Sequence, residues 1–393
     1  MIIPEGHSRV INDIRAQLDA SFLSEKALAF PTHYYVAVSV LCDLRCPYCP
    51  RQFYKDDIDH GLMDFAAFKR VAPYLGYANY AGFFGLGEPF LNPRFLDFLV
   101  LGKSYGAYVA TSTHGMSLMP EVAEKLVAMC MDEIAVSIDG PNRRVFEFLR
   151  EGANFDQVLN NVRHLNSLKR KKKTNKPAVF IAVVVSVHNV KYLPAMVKLA
   201  KELEAERVVV TDLIIVDKKN VGLSVYGTRQ FERALRKAKK LGDQLDIEVV
   251  YFHQNPFPWK PLEPSPAPVE GVRFGCHEAW RSYIIEKNGD MKPCCYIDDV
   301  FGNCFEQSFS DILNNEKIAA LRRSLMQGQP IPCCANCGNL VRVTDAYVGQ
   351  VLNETQRMIE NASLEAGDRN ELAGLVRHYQ GLRAKAFGEK SAA

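Results

Sequence analysis

The sequence predicts an α/β protein: a partial (β/α)6 barrel followed by a small cysteine-rich domain and a helical tail. Three observations carry this. Apolar, β-branched runs alternate with amphipathic stretches of helical spacing from about residue 33 to residue 252. The alternation stops at a segment holding six prolines between residues 255 and 271. Beyond it lie seven of the eleven cysteines, then a second stretch of helical spacing.

Taken in order, residues 1–32 read as an N-terminal helical segment. The barrel, residues 33–254, offers strands at 33–40, 80–86, 108–113, 133–139, 179–187 and 207–215. Helices are expected at 64–72, 93–104, 119–129, 155–168, 190–203 and 230–241, and 247–252 is a candidate seventh strand. Each strand followed by a helix implies parallel pairing through right-handed crossovers. Six units fall short of a closed eight-fold barrel, so the site is expected at the C-terminal strand ends of an incomplete one. Residues 255–271 read as a proline-stiffened linker. Residues 272–340 form a second domain, with Asn288-Gly289 as a hairpin tip between 281–286 and 291–296. A helix is expected over 309–325, capped by Ser308 or Ser310. Residues 341–393 read as a helical extension, with two helices between 345 and 387.

Composition excludes several classes. Hydrophobic residues make up 48% and charged residues 24%, as in globular proteins generally. A net charge of +3 argues for neither nucleic acid nor a membrane surface. No apolar run reaches the length of a span, and the first 24 residues lack a signal-peptide core. A cytoplasmic, reducing location is the expectation, in which eleven cysteines read as metal ligands or reactive thiols.

Cys42, Cys46 and Cys49 stand in a C-x3-C-x2-C run just after the first strand. Three thiolates in one short loop suit a metal centre, either zinc or three corners of an iron–sulfur cubane whose fourth iron stays open. The next strand ends are polar or glycine-rich: Gly85-Leu86-Gly87-Glu88, then Thr111-Ser112-Thr113-His114-Gly115, then Ser137-Ile138-Asp139-Gly140. A metal motif and three such ends on one rim favour a shared site.

On these motifs residues 33–252 resemble the radical S-adenosylmethionine (SAM) superfamily. The resemblance implies that Cys42, Cys46 and Cys49 hold a [4Fe–4S] cluster and that SAM chelates the open iron. Reduction then yields a 5′-deoxyadenosyl radical that abstracts a substrate hydrogen. It also implies that Tyr48 lies near the adenine, and that Gly85, Gly87 and Glu88 form the turn at the SAM amino group. Leu86 is inserted there where many members keep glycine. Thr113 joins the SAM-binding set, although Thr113-His114-Gly115 departs from the commoner Thr-Asn-Gly. Ser137 and Asp139 match positions near the ribose and the methionine carboxylate. Arg150 is a candidate carboxylate contact, with a surface ion pair as its alternative.

In the second domain, two thiolates of a hairpin and two of a C-x2-C turn suit one four-thiolate iron–sulfur or zinc centre. The order Cys276-x12-Gly289-x4-Cys294, then Cys334-x2-Cys337, resembles the SPASM/twitch extension of radical SAM enzymes. The resemblance implies a single auxiliary [4Fe–4S] cluster on Cys276, Cys294, Cys334 and Cys337, with Cys295 the rival of Cys294 and Cys333 of Cys334. Cys295, Cys304 and Cys333 are expected to pack as small hydrophobes, and Cys130 as core. A hydrogen-donor role for Cys304 is the sharper alternative.

The expected reaction is oxidation or epimerisation of a small polar, sugar- or aminocyclitol-like metabolite, because only about forty residues precede Cys42. A peptide-modifying maturase is the second reading, and a non-catalytic iron–sulfur or zinc protein the third. An electron donor such as flavodoxin or ferredoxin is the implied partner.

Overall fold

Along Ala178–Val185 every second side chain is buried, and Val179, Ile181, Val183 and Val185 turn toward the outer helices. The same two-residue period repeats in Arg207–Asp212, as a strand covered by helices on one face requires. The computed structural model describes residues 8–53, 59–215, 217–252, 273–335, 337 and 339–388. The barrel strands are β1 (His33–Val36), β2 (Tyr80–Phe83), β3 (Tyr108–Thr113), β4 (Glu133–Ser137), β5 (Ala178–Val185), β6 (Arg207–Asp212) and β7 (Glu248–Phe252). The first nine helices are α1 (Arg9–Asp19), α2 (Pro50–Phe53), α3 (Phe65–Val71), α4 (Phe95–Ser104), α5 (Pro120–Ala128), α6 (Arg143–Leu149), α7 (Phe155–Lys172), α8 (Leu193–Glu202) and α9 (Arg229–Leu245). Side chains of Asp64, Asn142, Asn154 and Thr228 cap α3, α6, α7 and α9 by accepting a backbone N–H of the first turn.

The remainder comprises β8 (Arg273–Gly275), α10 (His277–Arg281), β9 (Ser282–Ile285), β10 (Asp290–Lys292), β11 (Gly302–Asn303), α11 (Phe309–Leu313), α12 (Glu316–Met326), β12 (Val341–Val343), α13 (Asp345–Asn361) and α14 (Ala366–Phe387). The main sheet has ten strands in the order β11-β10-β9-β1-β2-β3-β4-β5-β6-β7. From β1 to β7 neighbours pair parallel in chain order. The fold is therefore the partial barrel the sequence predicts, with candidate strand 247–252 present as β7.

One junction was not legible in the pattern. Strand β9 of the cysteine hairpin pairs parallel with β1, so the second domain extends the barrel sheet. Ala37 N–H donates to Ile285 O at 2.9 Å, and Tyr283 and Ile285 are buried. At the hairpin tip Gly289 takes φ +89°, a conformation that glycine adopts without Cβ strain.

Two cores result. The first lies between the barrel strands and their helices, with Phe68, Phe83, Phe98, Val162 and Val208 among its members. The second joins Ile14, Leu18 and Phe22 to Trp280, Leu321, Leu352 and Val376. Burial of each such large side chain stabilises by about 1.5–3 kcal/mol. In the second core the buried Arg322 guanidinium donates to the carbonyls of Ala279, Glu25 and Leu313, which offsets part of the cost of burying its charge.

Some expectations need correcting. The single helix over 309–325 is two helices, because Asn315 leaves the helical path to cap α12 and donates to Phe301 O. Helix α6 was not anticipated. Cys130 is exposed rather than core: it follows the end of α5 in a left-handed turn, φ +52°. The proline-rich linker, 255–271, lies outside the described residues. Among the described residues no helix is long and apolar enough to cross a membrane.

Candidate functional site

Six strand ends converge on one cavity of about 310 Å³. The loop after β1 brings Cys42, Cys46, Tyr48 and Cys49, and the turn after β2 brings Gly85, Gly87 and Glu88. Thr113 and His114 enter from β3, Ser137 and Asp139 from β4, Arg150 from the end of α6. The barrel residues expected to hold the cluster or SAM therefore line one space, whereas Thr111, Gly115, Ile138 and Gly140 of the same motifs do not. The sequence reading missed Ser186 just after β5 and Asp212 at the end of β6, which also line it. Reading the fifth and sixth strand ends as closely as the first four would have found them.

Close backbone contact brings the first two strand ends together. A Cβ on Gly87 would stand 2.5 Å from the carbonyl oxygens of both Ser39 and Leu41. Without it, Glu88 N–H donates to Leu41 O at 2.7 Å, one residue before Cys42. The Glu88 side chain is 2% exposed. Thr113 O–H donates to its Oε1 at 2.7 Å, and His114 N–H to its Oε2 at 2.9 Å. Burial raises the Glu88 carboxyl above its ordinary range, opposed by His114 and these hydrogen bonds.

Arg150 Nε donates to Asp139 Oδ2 at 2.6 Å, and Val184 N–H to Asp139 Oδ1 at 2.7 Å. This pair is in the cavity wall, not on the outer surface. Burial works against the Arg150 charge, but Asp139, with Cys46 beside it, holds its pKa above the usual value. Tyr48 O–H and His188 Nε2 are 3.0 Å apart and their rings stack, which ties the cysteine loop to the loop after β5.

Burial raises the Cys42 thiol and pushes Cys46 up to about 11. Such thiols keep their protons at neutral pH until a metal displaces them. Three soft sulfur donors on one loop, facing a cavity that also holds Glu88, Asp139 and Arg150, fit an iron–sulfur cluster with a site left for a further ligand.

The second group of thiols is built differently. Cys276 precedes α10, Cys294 follows β10, and Cys334 and Cys337 follow α12. With Cys333 they border one small cavity walled by Ile297, Leu321, Leu325 and Leu340. Burial pushes Cys276 up to about 11. Cys294 and Cys334 are raised chiefly by hydrogen bonds to Cys295 and Cys333. This sulfur-rich pocket fits a thiolate-ligated cluster. Cys295 and Cys333 are exposed and do not pack as small hydrophobes: Cys294 takes the inward position beside Cys295, and Cys333 borders the pocket with Cys334 while staying open to solvent. Cys304 does pack: it is 6% exposed in the first core and borders neither cavity, and burial pushes its thiol up to about 12.

Known proteins match both parts. The family model of the radical SAM superfamily matches residues 36–200, and that of the SPASM iron–sulfur cluster-binding domain matches 276–338. A tungsten-containing aldehyde ferredoxin oxidoreductase cofactor-modifying protein of Pyrococcus furiosus is 24% identical over 333 residues, covering 80% of this chain and 90% of the relative. A PqqA peptide cyclase of Xanthomonas axonopodis pv. citri is 24% identical over 303 residues, 70% of this chain and 72% of the relative. In fold, Streptococcus suis SuiB, solved with its precursor peptide SuiA, superposes with a TM-score of 0.59 at 15% identity, covering 79% of this chain and 70% of that one. The chain belongs to the radical SAM superfamily, whose chemistry rests on SAM and a [4Fe–4S] cluster, and carries a C-terminal SPASM domain for auxiliary iron–sulfur binding.

Proposed function

We propose that this chain is a radical SAM maturase that modifies a peptide by hydrogen abstraction, forming a crosslink or an oxidised residue. The carrying observation is the match of 70% of the chain to 72% of a PqqA peptide cyclase. This reverses the order expected from the sequence, where a small polar metabolite came first. The rim agrees with a substrate bearing apolar groups: Leu86 and Phe148 are exposed there, Leu86 in the turn after β2 and Phe148 against His188. A cofactor-like small molecule is the second reading, favoured by the match spanning 90% of the Pyrococcus furiosus protein.

In this reading Cys42, Cys46 and Cys49 hold the cluster that binds SAM, and together the two supply a 5′-deoxyadenosyl radical. Gly85 and Gly87 let the turn that would receive SAM pack against Ala37, Ser39 and Leu41 before the cysteine loop, while Glu88, buttressed by Thr113 and His114, carries the negative charge at that turn. Arg150 and Asp139 form a fixed dipole beside Ser137, suited to the polar groups of SAM, and Tyr48 offers its ring to the adenine. Cys276, Cys294, Cys334 and Cys337 hold the auxiliary cluster. With all four thiols as ligands, such a cluster would supply electron transfer and leave no iron site for substrate. A low-potential flavodoxin or ferredoxin supplies the first electron.

The test is anaerobic turnover of reconstituted protein with SAM, reductant and the peptide encoded beside its gene. Formation of 5′-deoxyadenosine with a matching mass change in the peptide supports the reading. Turnover with a small metabolite and none with the peptide overturns it.

A further inference from the structure

His114 stands where the family's commoner turn has asparagine, and its ring carries a second nitrogen, Nε2, that the shorter side chain has no atom to reproduce. Met116 N–H donates to His114 Nδ1 at 3.0 Å, so Nδ1 is the acceptor and Nε2 carries the donor proton. That proton faces two carboxylates. Asp43 Oδ1 is 2.8 Å from Nε2 and Glu88 Oε2 is 3.4 Å from it. Glu88 is already served by Thr113 O–H and His114 N–H, so the shorter bond goes to Asp43. The His114 side chain is 4% exposed and that of Asp43 52%. An aspartate so open to solvent takes many orientations unless something buried anchors it. Here the anchor brings its carboxylate, the imidazole nitrogen and the Cys42 sulfur within 4.8 Å of one another.

We propose that His114 is a positioning residue that pins the Asp43 carboxylate against Cys42 and so lowers the reduction potential of the cluster on the rim loop. A fixed negative charge beside a ligand sulfur opposes the arrival of an electron, and groups around the ligands tune a metal centre in this way. The inference rests on the reading that Cys42, Cys46 and Cys49 hold the SAM-binding cluster.

The experiment is a redox titration followed by electron paramagnetic resonance on reconstituted protein, tracking the signal that changes when SAM is added. Wild type is compared with Asp43→Asn, His114→Ala, His114→Gln and the double variant Asp43→Asn/His114→Ala. Asp43→Asn keeps the shape of an exposed side chain, so it reports even if His114→Ala fails to fold. Asp43→Asn should lower the oxidised-to-reduced ratio at fixed potential about tenfold, which is about 59 mV upward for one electron. His114→Ala should shift it the same way, the double variant no further than Asp43→Asn, and His114→Gln should restore part of the wild-type value. An unmoved potential in Asp43→Asn at normal iron content, or shifts that add in the double variant, overturns the inference alone. A wild-type signal indifferent to SAM overturns the cluster reading, and the inference with it.

Discussion

The rim thiols and the SPASM thiols differ in what surrounds them. Cys42, Cys46 and Cys49 face a cavity into which the strand ends bring Glu88, Thr113, Ser137, Asp139 and Arg150, among apolar walls such as Leu149 and Ile214. Cys276, Cys294, Cys334 and Cys337 face a small space closed by Ile297, Leu321, Leu325 and Leu340. A ligand set that is one short, beside hydrogen-bonding groups, suits a centre that takes an exchangeable polar ligand. A ligand set that is complete and walled by apolar side chains suits a centre that only changes charge. The same side-chain chemistry is turned to two uses by its walls.

The most severe way to break this contrast is at the rim. On the proposed assignment Cys42→Ala removes one of three protein ligands there, and 5′-deoxyadenosine formation should fall to background while the auxiliary cluster remains visible in the spectrum. Cys337→Ala should act differently: iron content should drop from about eight to about four per chain, product should vanish, and uncoupled SAM cleavage should persist. Full product formation by that variant would erase the distinction between the two centres. Gly87→Ala is milder. Its Cβ has no room against Ser39 and Leu41, so the turn must shift away from the cysteine loop. Iron content should hold while SAM binding weakens about tenfold, near 1.4 kcal/mol, as measured by calorimetry.

The smallest expected effect sharpens the comparison from the side of stability. Asp19, buried in the second core, accepts N–H groups from Leu28 and Ala29, and burial pushes its carboxyl from 3.8 up to about 7. Between those values the folded chain keeps a proton that the unfolded chain has lost. Stability therefore falls as pH rises from about 4 to about 7 and levels off above. Asp19→Asn should flatten that slope in a Tm profile and leave rim chemistry untouched, because Asp19 lines neither cavity.

Local patterns told most where they coincide with tertiary constraints. The two-residue period of Ala178–Val185 announces a strand because one face must meet helices. The cysteine triplet and the Gly85–Glu88 turn announce a rim, since a chain that runs strand to helix exposes each strand's end at one edge. The fracture of helix 309–325 was hidden, because Asn314 and Asn315 fit a helix by spacing and leave it only for partners elsewhere: Asn314 bonds Ala27 and Asn315 bonds Phe301. Cys295 and Cys333 were hidden too. Adjacent cysteines look alike in sequence, and only the tertiary structure shows Cys295 exposed beside an inward Cys294 and Cys333 exposed while still bordering the pocket.

By itself, the sequence determined the partial barrel, the hairpin at Gly289, the two helices of the tail and the rim motifs. Each depends on residues within a few positions of one another. The tertiary structure alone decided that β9 joins β1, that the N-terminal helix shares a core with Trp280 and the tail, and that His114 reaches Asp43 across 71 positions of chain. Those outcomes depend on which buried surfaces and unpaired backbone edges find one another, and such pairings leave no periodic trace in either partner alone.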